Sequence, residues 1–280
     1  MDHVALFDQT ALKCSKLITK HYSTSFTLGI QTLAKKLHYP IYAIYGFVRY
    51  ADEIVDTFHD HDKRSLLQRF RADAYRAIHE RISLNPILHS FQMVVRQYNI
   101  DHELIEAFLR SMEMDLDQNT YTPQSYDTYI YGSAEVVGLM CLKVFCEGDQ
   151  AMYERLKSPA RSLGAAFQKV NFLRDMKSDY QDRGRTYFPN VDFRQFNSDT
   201  KAQIEADIQR DFDLAYEGIK QLPAAARSGV YLAYVYYLNL FQKIKRSSTA
   251  TVLAERIRVP DTQKIALLLS TMFKRQFNYI

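Results

Sequence analysis

Tryptophan is absent from this 280-residue chain, and glycine, proline and cysteine are scarce, at 9, 7 and 3 residues. So few turn formers favour long uninterrupted helices and argue against a glycine-punctuated nucleotide-binding α/β fold. No Gly-x-Gly-x-x-Gly, Walker loop or Gly-x-Ser-x-Gly elbow occurs. Histidine is missing beyond His102, and neither Cys-x-x-Cys nor His-Glu-x-x-His occurs, which argues against zinc chemistry. No apolar run approaches the roughly 20 residues that cross a bilayer. The start, with Asp2, His3 and Asp8, lacks the basic and apolar regions of a secretory leader. A cytoplasmic protein is expected, with any membrane contact peripheral and at the inner face.

Charge of one sign is also missing. The net charge of +4 comes from Lys and Arg scattered among Asp and Glu, too weak a bias to imply nucleic acid. It suits an ordinary solvated surface or docking on an anionic bilayer. What is abundant is apolar and aromatic: 47% hydrophobic residues, with 20 Tyr and 17 Phe, are ample for a sizeable core. Most of these aromatics belong to that core, and any that line a cavity can stabilise a cation through their π faces.

Periodicity predicts an all-α chain of about ten helices in a single domain, residues 1–280. Pro40 opens a buried helix, 41–58, with proline in its first turn. Helices follow over about 63–82, 86–98 and 101–117, then an apolar stretch over 132–146. Ser158 and Pro159 read as N-cap and first residue of a helix reaching about Asp179. Residues 181–198 read as a loop, and 200–221, 224–246 and 262–277 return to helical periodicity.

Two pairs of carboxylates interrupt apolar helices: Asp52 with Asp56, and Asp175 with Asp179. Residues four apart lie side by side on a helix, and paired carboxylates suit Mg²⁺, whose octahedral oxygen shell is completed by water and substrate phosphates. Spacing alone is common, since 21 Asp give about 1.6 such pairs by chance and the sequence holds four. Asp56–Asp60 ends beside a polar loop, and Asp207–Asp211 sits in a charged helix that reads as a solvated face. The His59–Asp62 run likewise reads as a solvated loop. Arg49, Asp52 and Asp56 form one ionic stripe; Gln168, Asn171, Asp175 and Asp179 form another, opposite Ala166, Val170 and Leu173. Buried charge needs partners, so these stripes face either bound cations in a cavity or an interhelix network with Arg49 and Arg174.

Tyr50–Asp56, with its Ala-Asp-Glu-Ile-Val-Asp sequence, resembles the first aspartate-rich motif of the squalene and phytoene synthase family. Gln168–Asp179 and the following Arg183–Pro189 are similar to its second motif and adjoining flap. His21–Phe26, Met112–Leu116, Tyr131–Gly138, Tyr237 and Arg256 before Val259-Pro260 follow in the expected order, so the resemblance spans nearly the whole chain.

The resemblance implies an isoprenoid-synthase-type helical bundle around a central cavity with a polar mouth and an apolar floor. Asp52, Asp56, Asp175 and Asp179 would hold Mg²⁺, with Mn²⁺ as a substitute ion. Asn171 and Gln168 would support the second metal cluster. Ser23, Ser25, Arg49, Tyr131, Tyr237 and Arg256 would contact diphosphate oxygens. One allylic diphosphate would ionise, the double bond of a second would attack, and the resulting cyclopropyl diphosphate would ionise again and rearrange to a hydrocarbon. The flap near Arg183–Tyr187 and the apolar cavity would exclude water.

Gly132–Gly138 reads closer to phytoene synthases, and no C-terminal anchor is evident. The expectation is therefore two C20 geranylgeranyl diphosphates joined head to head in carotenoid biosynthesis, without NADPH. The alternative is a squalene or dehydrosqualene synthase acting on two C15 farnesyl diphosphates. Ile30, a turn beyond Phe26, would leave room for the longer tail. A non-catalytic assembly factor of the same fold would lack the intact aspartates, and a terpene cyclase would lack the paired similar motifs.

Overall fold

The computed structural model describes residues 2–181, 184–189, 191 and 196–260, all helices and connections apart from one isolated bridge. In chain order the helices are α1 (His3–Tyr22), α2 (Thr24–Thr32), α3 (Lys35–Asp56), α4 (Lys63–Glu80), α5 (Pro86–Gln97) and α6 (His102–Asp117). Then come α7 (Pro123–Ile130), a π turn (Tyr131–Glu135), α8 (Val136–Cys146), α9 (Gln150–Gln181), α10 (Ser198–Gln221), α11 (Ala224–Arg246) and α12 (Thr249–Ala254). The helix expected over 262–277 lies outside the described residues, as does Arg183.

Local signals set most starts. Asp62 accepts from the backbone of Ser65 at the head of α4, Asn85 caps α5 ahead of Pro86, and Thr122 with Ser125 forms a capping box before α7. Both expected proline starts are wrong. Pro40 lies inside α3, which begins at Lys35, and Pro159 lies inside α9, which begins at Gln150. Proline in a helix interior forfeits a hydrogen bond and costs about 3 kcal/mol. The extra turns bury Leu37 in α3 and Tyr153 and Leu156 in α9, and that packing outweighs the local preference.

Two hydrophobic clusters flank a central cavity. The first gathers α3 to α6 and α8 around Phe47, whose ring stacks on Phe91 at 3.9 Å and meets Phe70 and Phe108. The second gathers α7 and α9 to α12 around Val170, Leu173, Phe212 and Phe241. Ala166, Val170 and Leu173 are all fully buried, as the stripe on α9 predicted.

From Pro123 to Cys146 the chain forms one 24-residue helical rod, long and apolar enough to span a bilayer, contrary to expectation; 61% of its most apolar window is buried inside the bundle. Its π turn is pressed between α6 and α9. A Cβ on Gly132 would lie 2.5 Å from the Ala107 carbonyl oxygen, and one on Gly164 would lie 2.6 Å from that of Ala134. Hydrogen at these positions is what lets three helix backbones touch.

Candidate active site

The cavity encloses about 730 Å³ between α2, α3, α8, α9 and α11. α3 and α9 present their acidic stripes to its mouth, while the floor is lined by Ile41, Ile44, Leu142, Leu156, Ala160 and Ile219. Asp52, Asp56, Asp175, Asp179, Arg49, Ser23, Ser25, Gln168, Asn171, Tyr237 and Arg256 all line it. Tyr131 does not. Cavity-facing positions on that rod recur at Tyr129, Ser133, Val137 and Cys141, a spacing of four that leaves Tyr131 half a turn away, its ring beneath Arg161 at 5.2 Å.

At the mouth, Ser23 is the N-cap of α2 and accepts from the Phe26 backbone N–H at 3.2 Å. The positive end of that helix therefore opens beside Ser23 and Ser25, a favourable place for an anion. Arg49 lies over the Tyr22 ring at 4.4 Å, pairs closely with Glu53, and stands 4.0 Å from Asp52. Burial, with Asp56 alongside, raises the Asp52 carboxyl to about 7.

Asp175 is differently placed. Arg174 donates to both its oxygens, at 3.0 and 2.5 Å, and Arg256 Nε adds a contact at 2.8 Å. Arg49 and Arg174 do pair with the stripes as anticipated, but the pairs described are not interhelix ones: Arg49 meets Asp52 and Glu53 on α3 itself, and Arg174 meets the adjacent Asp175 on α9. Asn171 Nδ2 meets Gln168 Oε1 at 3.5 Å, and Gln168 reaches Ser133 at 3.4 Å. Asn171 Oδ1 is buried with no hydrogen-bond partner. An orphaned buried oxygen costs free energy unless a ligand satisfies it.

A further buried cluster joins the flap to both halves of the bundle. Arg185 Nη1 donates to Asp56 Oδ1 at 3.2 Å, and its Nη2 donates to the Asp115 carbonyl at 2.8 Å. Asp115 accepts from Tyr129 at 2.8 Å and Tyr187 at 3.2 Å. Burial raises the Asp115 carboxyl to about 6, against the pull of Arg185. Thr186 N–H bonds the Asn119 carbonyl at 2.8 Å, and the Tyr187 ring stacks on Phe172 at 4.0 Å. Asp115 lay within the quoted Met112–Leu116 run and Arg185 within the flap, yet their partnership had no sequence signal. Arg174, expected only as an ion-pair partner of the stripe, lines the cavity mouth as well.

Asp60 is exposed, and in the His59–Asp62 run Asp62 caps α4 while His59 meets Lys63. Asp207 and Asp211 are not a solvated face: both clamp Lys169 Nζ, at 2.5 and 2.7 Å, tying α10 to α9.

The donors at the mouth are carboxylate and amide oxygens, a hard set suited to Mg²⁺. Among the described residues no three of His, Cys, Asp and Glu converge enough to hold a metal alone. Asn171 Oδ1, buried without a hydrogen-bond partner, is a further oxygen of that donor set.

The family model described as squalene/phytoene synthase matches residues 19–263. The 15-cis-phytoene synthase of Synechococcus elongatus is 28% identical, over 92% of this chain and 91% of its own. The 4,4'-diapophytoene synthase of Staphylococcus haemolyticus is 26% identical, over 69% and 67%. A crystal structure of a ligand-bound dehydrosqualene synthase superposes with a TM-score of 0.81 at 22% identity, covering 96% of this chain and 98% of that one. With that match across most of its length, the chain belongs to the squalene/phytoene synthase family, prenyltransferases that act on prenyl diphosphates.

Proposed function

We propose that the protein is a phytoene synthase, joining two C20 geranylgeranyl diphosphates head to head in carotenoid biosynthesis and releasing diphosphate at each of two ionisations. The observation that carries this reading is one cavity with a cation-rich acidic mouth and a deep apolar floor. On α9, lining residues run from Asp175 down to Leu156, a rise of about 28 Å at about 1.5 Å per residue. Four five-carbon units at about 5 Å each come to about 20 Å, so a C20 tail reaches far into this depth. A C15 tail would leave more of its apolar end unfilled. Ile30 lines the cavity without closing it, and the sequence likeness to the cyanobacterial enzyme points the same way.

Asp52, Asp56, Asp175, Asp179 and Asn171 would hold Mg²⁺, which when bound supplies charge neutralisation for the departing diphosphate. Arg49, Arg174 and Arg256, with the N-terminus of α2, bind the diphosphate oxygens and stabilise the charge that develops as the carbon–oxygen bond breaks. The apolar walls hold the second chain's double bond against the allylic cation. Loss of a proton closes a cyclopropane; the second ionisation, rearrangement and a final proton loss give the hydrocarbon. Phe26, Tyr45, Phe167 and Tyr237 present aromatic surface to the cations, and the Arg185-anchored flap keeps water out.

The test is purified protein with Mg²⁺ and either geranylgeranyl or farnesyl diphosphate, reading pyrophosphate release and hydrocarbon by chromatography. Phytoene from the C20 substrate is expected. Preferential turnover of the C15 substrate moves the assignment to squalene or dehydrosqualene synthesis, and no pyrophosphate from either substrate ends the synthase reading.

A further inference from the structure

α1 packs on α2, α3 and α5 through a narrow buried face of Ala11, Ser15 and Thr19. Ser15 bonds Ser90 of α5 at 2.6 Å, and the Thr19 carbonyl accepts from Thr27 of α2 at 3.3 Å. The opposite face mixes lysine with large apolar side chains. Leu6, Lys13, Leu17 and Lys20 follow i, i+7, i+11 and i+14, a single stripe pointing away from the core. All four are exposed, Leu17 to 57%. Lys16 lies alongside, its ammonium 5.9 Å from the Tyr39 ring. Over its whole length the helix carries three lysines against one aspartate, and that one, Asp8, is bonded to His89 Nε2 at 2.8 Å.

Both ends of α1 are apolar as well. Near its start Phe7 packs edge-on with the His89 ring, centroids 4.7 Å apart, and the Ser83 N–H donates to Nδ1 of that ring at 3.2 Å. These contacts bring the connection between α4 and α5 alongside, with exposed Ile82 and Leu84 flanking Ser83; Leu84 is 90% exposed. Val4, a turn before Phe7, is exposed too. Single exposed apolar side chains are ordinary, but four gathered at one place mark an interaction surface. At the other end Tyr22, the last residue of α1, is half-exposed and lines the cavity mouth beside Ser23.

We propose that this face docks on a bilayer surface rich in anionic phospholipid. α1 lies in the plane of the headgroups. The apolar side chains at its start and along its outward stripe reach the upper acyl chains, and Lys13, Lys16 and Lys20 meet the lipid phosphates. Charge favours a lipid surface over a second copy of this chain, because two copies of α1 set face to face would bring their lysines together. Tyr22 makes the docked face continuous with the cavity mouth, so a long-tailed amphiphile has a short path between bilayer and cavity. The docking stands on the exposure and charge of α1; only the identity of that amphiphile rests on the synthase reading.

Flotation of the full chain with vesicles of phosphatidylcholine, alone or mixed with phosphatidylglycerol, tests it. At low ionic strength the chain should float with the mixed vesicles and stay behind with the neutral ones, and added salt should release it. A lysine near an anionic surface is worth about fivefold in affinity, so Lys13→Glu combined with Lys20→Glu should weaken binding by at least about tenfold. Leu17→Ser combined with Leu84→Ser should weaken it as well. Lys157→Glu combined with Lys220→Glu, on α9 and α10, changes the net charge equally and should leave binding within about threefold of native. Circular dichroism and turnover of detergent-dispersed substrate should match the native chain in all three variants. No binding to mixed vesicles, equal binding to neutral ones, or equal loss in the two lysine variants overturns the proposal. So does a native dimer in sedimentation that the leucine variant disperses, which makes the patch a self-interface. Vesicle binding is read without substrate, so its failure leaves the synthase reading standing, and binding without turnover removes that reading alone.

Discussion

Replacing Gly164 by alanine and Gly29 by alanine should shift stability in opposite directions, although both glycines sit in helices that line the cavity. Helix propensity alone favours alanine at each, by about 1 kcal/mol. At Gly164 the new methyl would lie 2.6 Å from the Ala134 carbonyl oxygen, 2.9 Å from its carbon and 3.1 Å from Glu135 Cα. These are backbone atoms of the π turn, held on their other side by Gly132 against α6, so relief requires moving a helix. Overpacking costs about 1–3 kcal/mol, and against backbone that cannot swing away the upper part of that range, about 2–3 kcal/mol, applies, which leaves a net loss of about 1–2 kcal/mol and a Tm lower by roughly 2–8 °C. At Gly29 the methyl would meet only the Gly229 carbonyl oxygen at 3.6 Å and Ala233 Cβ at 4.0 Å, ordinary contacts. The propensity gain survives there, and Tm should rise by about 2 °C. Thermal melts followed by circular dichroism, with urea midpoints as a second scale, read both. If the two variants move the same way, the backbone-on-backbone contact at the π turn does not exist as described.

Asp52→Asn and Asp175→Asn should each abolish pyrophosphate release while leaving the helical spectrum intact, since each removes one charge at the polar mouth; retained turnover in either removes that residue from the metal set. The Asp52 carboxyl, raised to about 7, must be ionised to bind a cation, so Mg²⁺ affinity should fall by up to about tenfold per pH unit below 7 and level off above 8. An affinity flat between pH 5.5 and 8 would contradict this. The same raised value makes the folded state hold a proton that the unfolded chain has released. Stability without metal should therefore decline as pH rises from about 4 through 7, and the gain in Tm from added Mg²⁺ should be larger at pH 8 than at pH 6. Arg185→Gln removes the guanidinium between Asp56 and Asp115; turnover should fall on the order of 10–100-fold, with faster hydrogen exchange at the Thr186 amide, whereas unchanged exchange would show that the flap is held by other contacts. Lys169→Met leaves Asp207 and Asp211 facing each other without their shared ammonium, and should cost about 1–3 kcal/mol in urea unfolding, less than a fully buried pair because both carboxylates are partly solvated.

The acidic stripes could be read before any fold was known because charge on an apolar helix demands a cavity or a partner. Asp52, Asp56, Asp175 and Asp179 all face the cavity on those terms. Resemblance supplied order along the chain but no helical phase, so it carried Ser23, Asn171 and Arg256 to the mouth and Tyr131 to the wrong side of its rod. Prolines misled at both starts because local preference is a few kcal/mol and the burial of Leu37, Tyr153 and Leu156 is larger. The π turn was invisible for a different reason: its residues have the same preferences as an α-helix, and only the pressure of two neighbouring backbones selects it. The Asp115–Arg185 contact joins residues 70 positions apart, and nothing in either local sequence announces the other.

α9 carries one further consequence. Its cavity-facing residues step through Asp175, Asn171, Gln168, Gly164, Ala160 and Leu156, close to one per turn. A helical turn advances about 5.4 Å, nearly the length of one five-carbon unit. The wall beside the substrate is therefore graduated in isoprene units from the ionising end downward, on a rod too stiff to stretch. A change of product size in this lineage would need no redesign of the mouth: a single bulkier side chain at Ala160 would subtract one unit, and its loss would restore it.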